Sequence, residues 1–354
     1  MNIINLCELL REAVVRQASD IHITVGVPPT LRINGNLIAT DNPPLTFEGT
    51  NTILMAITTE EQRQKFYQLG ELDFSYAIAG VSRFRINAFR QRGFTAIVIR
   101  VIAEQVPTLE QLSLPGTVNM LARKPRGLVL VTGPAGSGKS TTLAAMIDLI
   151  NNNRDCHIIT LEDPIEYLHK HNKSIVNQRE INSDTKSFAN ALRAALREDP
   201  DVILVGEMRD AETISTAITA AETGHLVFGT LHTSDAAQTI DRIIDVFPAY
   251  QQQQIRIQLS LTLQGIIAQQ LLPRADHPGR VAALEILIAT PAVRNLIREG
   301  KTYQIISVVQ TGAKVGMQAM DMALRDLCRR GIVSREEALA RAMDQENFIR
   351  LYNG

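Results

Sequence analysis

The stretch Leu128-Val129-Leu130-Val131-Thr132-Gly133-Pro134-Ala135-Gly136-Ser137-Gly138-Lys139-Ser140-Thr141 decides how this chain is read. A short apolar run feeds a glycine-rich loop, a helical pattern follows, and the loop satisfies G-x-x-x-x-G-K-[ST] in full. Glycines there let successive backbone N–H groups turn toward phosphate oxygens, while the next helix presents its positive N-terminal end. Gly133, Pro134, Ala135, Gly136, Ser137, Gly138, Lys139, Ser140 and Thr141 are therefore the expected nucleotide-binding residues. Lys139 can reach the β- and γ-phosphates of ATP, and the Ser140 hydroxyl can hold Mg²⁺. A chance glycine-rich turn is the alternative, and the flanking strand and helix weigh against it.

Outward from this loop, further apolar runs at 158–161, 202–205, 226–228 and 281–286 alternate with helical segments. Such runs fit strands buried on both faces of a mainly parallel sheet, covered by crossover helices. The second run is followed by Glu162-Asp163, the third by Gly206-Glu207, and the fourth by Thr230 and His232. Ligands bind at the carboxyl ends of strands in open α/β sheets, so four reactive endings predict one site. The run from Asp201 to Glu207 resembles a Walker B strand, which delivers a carboxylate beside Mg²⁺ and water. Glu207 is accordingly expected in catalysis and, with Ser140, in metal binding; a surface ion pair with Arg209 is the alternative. Glu162, Asp163 and Glu166 surround Pro164, and a carboxylate here could orient or deprotonate the attacking water. The same acids also fit a solvated turn, and the spacing does not separate the roles of Glu162, Glu166 and Glu207. His232 stands where a side chain can sense the γ-phosphate, although a lone histidine is more often structural, above all at His225. His169 and His171 fit a solvated turn better than a metal site.

The first hundred residues read as a small α+β unit. Leu6, Leu9, Leu10, Ala13 and Val14 follow helical spacing, and Leu31, Ile33, Leu37 and Ala39 flank Asn34-Gly35, a two-residue hairpin signal. Further strands are expected near 73–78, 83–89 and 96–101. Alternation puts Phe84, Ile86 and Ala88 on one face, so Arg83 and Arg85 project from the other; Arg100 projects likewise opposite Ile97, Ile99 and Val101. Three guanidinium groups from one small domain would fit a polyphosphate supplied by a neighbouring domain, and ordinary pairing with Glu71 or Asp73 is the alternative. Arg193 and Arg197, on an expected helix over 187–197, are a second such pair. Pro107, Pro115 and Gly116 punctuate the expected linker, giving domains at 1–102 and 117–354 about a connection at 103–116. Near the other end, Thr290-Pro291 and Gly300 frame a short helix with Val293, Leu296 and Ile297 on its apolar stripe, leaving Arg294, Arg298 and Glu299 for solvent or a partner. Ser334-Arg335-Glu336-Glu337 reads as a capping box.

Composition narrows the function classes. Lys plus Arg number 36 against 37 for Asp plus Glu, so no global field favours nucleic acid or an anionic membrane, and no basic, aromatic-rich stripe appears. The first residues lack the pattern of a signal peptide, and no apolar stretch reaches membrane-spanning length. The three cysteines, Cys7, Cys156 and Cys328, stand apart, which fits a reducing, cytosolic compartment and cannot build a four-thiolate zinc site.

Together these residues resemble the secretion-type hexameric ATPases, and within them the type IV pilus retraction ATPases. The resemblance rests on the phosphate loop, on Thr160-Leu161-Glu162-Asp163-Pro164-Ile165-Glu166 (an Asp box), on Val205-Gly206-Glu207-Met208-Arg209-Asp210 (Walker B), and on Gly224-His225 through Leu231-His232-Thr233 (a His box). Ala292-Val293-Arg294-Asn295-Leu296-Ile297-Arg298-Glu299 is similar to the A-I-R-N-L-I-R-E segment associated with retraction, with Val293 in place of isoleucine. The resemblance implies a PAS-like N-terminal domain joined to a RecA-like P-loop ATPase domain. It also implies a homohexamer with Mg²⁺-ATP bound between domains and subunits, reached by Arg83, Arg85 and Arg100. The implied work is pilus retraction and twitching motility at the cytoplasmic face of the inner membrane, through a PilC-like platform protein and an accessory retraction ATPase, without nucleic acid. Extension and secretion motors usually carry an added N-terminal domain and a four-cysteine metal motif; neither is expected here.

Overall fold

The computed structural model describes residues 5–33, 35–78, 80–102 and 105–353. They fold as two units, residues 1–105 with 166–168, and residues 106–165 with 169–354. The first unit runs α1 (Leu6–Val15), β1 (Asp20–Ile23), β2 (Thr30–Ile33), β3 (Asn36–Ala39), α2 (Phe47–Ile57), α3 (Glu60–Leu69), β4 (Glu71–Ile78), β5 (Ser82–Gln91) and β6 (Phe94–Val101). Its strands form one antiparallel sheet in the order β3-β2-β1-β6-β5-β4. Leu9, Leu10 and Ala13 of α1 pack with Ile53 and Leu54 of α2, Phe66 of α3, and Phe84, Ile86, Ala88, Ile97 and Ile99 of the sheet. That face is apolar because period two sends every second side chain the same way, and the arginines are thereby consigned to the other face. β2 and β3 pair as far as Ile33↔Asn36, with Gly35 at φ +84°; Asn34, the other half of the expected turn, lies outside the described residues. β1, α2 and α3 have no counterpart in the sequence reading.

The second unit holds α4 (Gly116–Ala122), β7 (Gly127–Thr132), α5 (Lys139–Asn153), β8 (His157–Glu162), β9 (Ile175–Glu180), α6 (Phe188–Ala195), β10 (Val202–Val205), α7 (Ala211–Glu222) and β11 (Leu226–Leu231). It continues through α8 (Ala236–Asp245), α9 (Ala249–Thr262), β12 (Leu263–Pro273), β13 (Arg280–Ile288), α10 (Pro291–Glu299), α11 (Ile305–Thr311), α12 (Met320–Arg329), α13 (Arg335–Arg341) and α14 (Gln345–Asn353). Its seven strands lie in the order β13-β12-β7-β11-β10-β8-β9, parallel throughout except where β13 runs antiparallel to β12.

Alternate residues of the central strands enter two cores. Val129, Val131, Leu204 and Phe228 meet Leu143, Met146 and Ile150 of α5 on one face, while Leu128, Leu130, Val205 and Val227 meet Ile214, Ile218, Ile240 and Leu259 on the other. Residues buried on both faces explain why these strands read as continuous apolar runs. Leu109 is buried in the α5-side core with Leu112 and Leu114 packed against it, so the stretch read as a linker joins the second unit from about there. Its residues 103 and 104 lie outside the described residues. A smaller core joins Leu272, Val281 and Ala283 of β12 and β13 to Leu324 of α12, Ala338 of α13 and Phe348 of α14.

Candidate nucleotide site at the carboxyl ends of the central strands

β7 is buried along its whole length and releases the chain at Thr132, so the next residues must turn sharply to start a helix. Gly133 does so at φ +141°, where a Cβ would stand 2.2 Å from the Gln269 carbonyl oxygen; no other residue fits. Ser137 N donates to Pro134 O at 3.2 Å, and Lys139 Nζ reaches back to Gly133 O at 2.8 Å and Pro134 O at 3.0 Å. α5 then begins at Lys139 without a side-chain cap, the arrangement of a ready-made anion site. Behind the loop lies Gln269 of β12, a residue that no sequence pattern flagged. Its buried amide donates to Ser137 O at 2.7 Å and accepts from Thr142 Oγ1 at 2.8 Å, buckling the loop to the helix it launches. Two buried hydroxyls of the loop region, Thr132 Oγ1 and Ser137 Oγ, have no hydrogen-bond partner among the described residues, which suits a loop built to meet phosphate oxygens.

Strand order places β11, β10 and β8 next in line after β7, so their carboxyl ends open on the same edge as the loop. Gly206 N donates to Leu161 O at 2.7 Å, Met208 N donates to Thr230 O at 3.0 Å, and Thr230 Oγ1 donates to Gly206 O, which fastens the three endings together. Glu207 and His232 meet there, with His232 Nε2 3.0 Å from Glu207 Oε1. Arg209 Nε donates to the same carboxylate oxygen, so the ion pair weighed as an alternative forms as well. That bond raises the Arg209 guanidinium above its usual range. The Glu207 side chain is 19% exposed and that of Arg209 76%, so a sheltered carboxylate carries a solvent-facing, exchangeable partner.

Glu162 ends β8, and its Oε1 accepts from Thr160 Oγ1 at 2.6 Å and from Gln178 Nε2 at 3.1 Å. Its orientation therefore depends on β9, an edge strand the sequence did not disclose. Glu166 is exposed and falls in the 166–168 segment, which groups with the first unit. The turn is held instead by a buried acid from the end of β9, Glu180, whose Oε2 accepts from Ile165 N at 3.1 Å. Of the histidines, His225 sits at the opposite end of β11, with Nδ1 2.9 Å from Ala220 O. His171 Nδ1 accepts from Val176 N at 3.0 Å, and burial holds His169 below the usual imidazole range. Arg193 pairs with Glu212 and Asn190, while Arg197 lies beyond the end of α6 and is exposed.

In the first unit, the register sets Arg32, Asp20, Arg100, Arg85 and Ser75 in one row across the sheet. Arg100 Nε donates to Asp20 Oδ1 at 2.9 Å, so its partner is Asp20 rather than Glu71 or Asp73. Arg85 and Arg100 stand directly opposite each other, and Asp20 on the far side of Arg100 offsets part of their like-charge repulsion. Arg83 lies on the same face of β5, two residues before Arg85, opposite Ala77.

Beside the first turn of α5, a cavity of about 300 Å³ is lined by Leu112, Leu114, Thr141, Leu271, Arg274 and Arg280 among others. Among the described residues, no three His, Cys, Asp or Glu side chains gather as a metal cage. Ser140 and Glu207 suit the other way Mg²⁺ is held, by one or two protein oxygens with waters and substrate phosphates completing its shell.

A buried parallel strand that delivers a glycine loop to a helix N-terminus, with a sheltered carboxylate two strands away, defines a P-loop ATPase. The model of the Type II/IV secretion system protein family matches residues 2–340, and the chain belongs to that family. It is similar to the Type IV pilus retractation ATPase PilT of Pseudomonas aeruginosa, at 51% identity over 97% of this chain and 100% of that protein. A twitching motility protein of Neisseria gonorrhoeae is 50% identical over 97% of this chain and 92% of its own length. A crystal structure of the pilus retraction motor PilT with bound ADP matches with a TM-score of 0.91 and 52% identity, covering 98% of this chain and 99% of that one.

Proposed function

We propose that this chain is the homohexameric, Mg²⁺-dependent ATPase that powers type IV pilus retraction, and with it twitching motility. The observation that carries the reading is the full-length likeness to a retraction motor together with an intact site. The phosphate loop from Gly133 to Thr141 binds the ATP phosphates, with Lys139 on the β- and γ-groups. The cavity beside Thr141, whose walls mix leucines with polar side chains and two arginines, suits the rest of the nucleotide. Ser140 and Glu207 would hold Mg²⁺, which supplies charge neutralisation at the phosphates. Glu207, sheltered and oriented by His232, and Glu162, held by Thr160 and Gln178, are the carboxylates that position and deprotonate the attacking water; Glu166 is the third candidate. Arg83, Arg85 and Arg100, which share one face of the first unit's sheet, neutralise the γ-phosphate.

Hydrolysis and product release then drive domain motion, which a PilC-like platform protein in the inner membrane receives, with an accessory retraction ATPase as a further partner. No helix among the described residues is long and apolar enough to cross a membrane, so on this reading a cytoplasmic ring docks through that platform. The exposed side of α10 is the first candidate docking surface. No nucleic-acid partner is assigned, in keeping with a net charge of −1. The test is steady-state turnover of the purified chain. Mg²⁺-dependent ATP hydrolysis is expected, and Lys139→Ala and Glu207→Ala each abolish it; undiminished turnover in both variants would overturn the assignment.

A further inference from the structure

β13 carries one acid the site does not use. Glu285 lies across from Ala268 of β12, and its Oε1 accepts from Ala236 N at 2.8 Å, the first N–H of α8. Met320, the first residue of α12, lines the same cavity as Glu285 and turns its backbone N–H toward that carboxylate closely enough to favour its charged form. α12 has no side-chain cap of its own, so its first N–H groups open toward Glu285. One carboxylate is thus bonded to one helix start and lies beside another that is far apart in sequence.

The α8 end matters because it follows His232 within four residues. Between them the loop is pinned twice more: Thr233 Oγ1 lies 2.7 Å from Thr239 Oγ1, and Asp235 caps α8 by accepting from Gln238 N at 2.8 Å. Thr239 Oγ1 closes the turn on Asp235 O at 2.6 Å. The α12 end opens the C-terminal helices, where Asp321 accepts from Met343 N at 2.8 Å and Asp344 N at 3.2 Å, gathering the approach to α14.

We propose that Glu285 is a positioning residue for the ATPase site: it anchors the start of α8, so sets where His232 stands against Glu207, and links that setting to the C-terminal helices through α12. The inference deepens the reading of Glu207 and His232 as hydrolytic residues and rests on it.

A cavity of about 410 Å³ adjoins the junction, and the groups that face Glu285 across it are its neighbours Asp235 from α8 and Asp321 from α12. The other residues turned to it are neutral: Ile306 and Gln310 from α11, Met320 and Met322 from α12, Met343 before α14, and Asn347 and Leu351 from α14. No cation among them compensates a third negative charge. Burial, reinforced by the two aspartates and opposed by the two backbone donors, lifts the Glu285 carboxyl to about 7. Ionisation is therefore disfavoured while both helix starts are docked, and by linkage a rise in pH through neutrality loosens the junction.

The test is the pH profile of ATP turnover by the full-length chain carrying Glu285→Gln or Glu285→Ala, with Glu207→Gln as control. Gln keeps an acceptor oxygen and cannot ionise, so the ratio of its kcat to that of the native chain rises at least about threefold between pH 6 and pH 8.5. Ala removes the acceptor; kcat falls about tenfold or more while KM for ATP stays within about twofold, because the phosphate loop is untouched. A flat Gln-to-native ratio across that range overturns the inference, whether or not the Ala variant folds. An Ala variant that folds with native kcat, or with KM raised in step with lost kcat, overturns it too. If Glu207→Gln still turns over ATP, the underlying site reading fails and takes this inference with it. If that control is dead and the Glu285 ratio is flat, the inference alone fails.

Discussion

Exchanging Gln269 for leucine would keep its volume but leave Ser137 O and Thr142 Oγ1, both contacts of a buried amide, without their partner. The loss should destabilise the second unit by about 1–3 kcal/mol and raise KM for ATP more than it lowers kcat, since the loop that grips phosphate loses its buckle. Denaturant titration and steady-state kinetics read both; an unchanged KM would count against the role. The arginine row makes a different demand. If Arg85 and Arg100 serve a nucleotide held by another subunit, rings mixed from Arg85→Ala and Lys139→Ala chains should recover part of the activity that each lacks alone. Mixtures as inactive as their components would sink that reading. Lys139 and Glu207 were legible because their surroundings form a recognisable string. Gln269 and Asp20 were not: one sits in an apolar run from a distant strand, and the other meets Arg100 only through a β1–β6 register that no local pattern encodes.

Among the elements, five of the seven strands of the larger sheet were readable as apolar runs, because burial on both faces leaves little room for polar residues. The two that escaped have physical reasons. β9 is an edge strand whose Ile175 is exposed and whose inward face carries Val176 and Glu180, so no apolar pattern marks it. β12 follows α9 with no intervening loop, Thr262 to Leu263, and polar Gln264, Gln269 and Gln270 interrupt its apolar run. α10, by contrast, is as expected in extent, with Thr290 at its cap and Gly300 at φ +68° after its end. Its polar face was misjudged at one residue. Arg294 turns back to donate to Ala289 O at 3.0 Å and Leu261 O at 2.8 Å, closing the end of α9, while Asn295, Arg298 and Glu299 remain exposed. Burial beside Arg298 holds the Arg294 guanidinium below its usual range. Arg294→Ala should therefore cost about 1–3 kcal/mol in urea unfolding, and Arg298→Ala under about 0.5 kcal/mol. Equal effects would mean that the closing bonds carry no net stability.

For the molecule as a whole, the Glu285 junction also has a stability signature. Its carboxyl is raised from 4.5 to about 7 in the fold, so its stabilising contribution is complete below about 4.5 and is lost as pH climbs through 7. Glu285→Gln should accordingly melt higher than the native chain at pH 8.5, by about 5 °C, with the gap narrowing toward pH 6. A gap of constant size, read by calorimetry, would show that the carboxylate is not under strain. A feature of the sheet gives the chain a further property. β12 and β13 pair at every position from Gly265↔Ile288 to Pro273↔Arg280, while β12 borders the strand that launches the phosphate loop and β13 leads into α10. A tug on α10 directed along β13 acts parallel to its partner strand, so the whole ladder is sheared at once instead of unzipping rung by rung. On the proposed reading, external resistance that reaches that helix would bear on the strand beside the phosphate loop through this one ladder, which makes the hairpin a tendon between fuel and load.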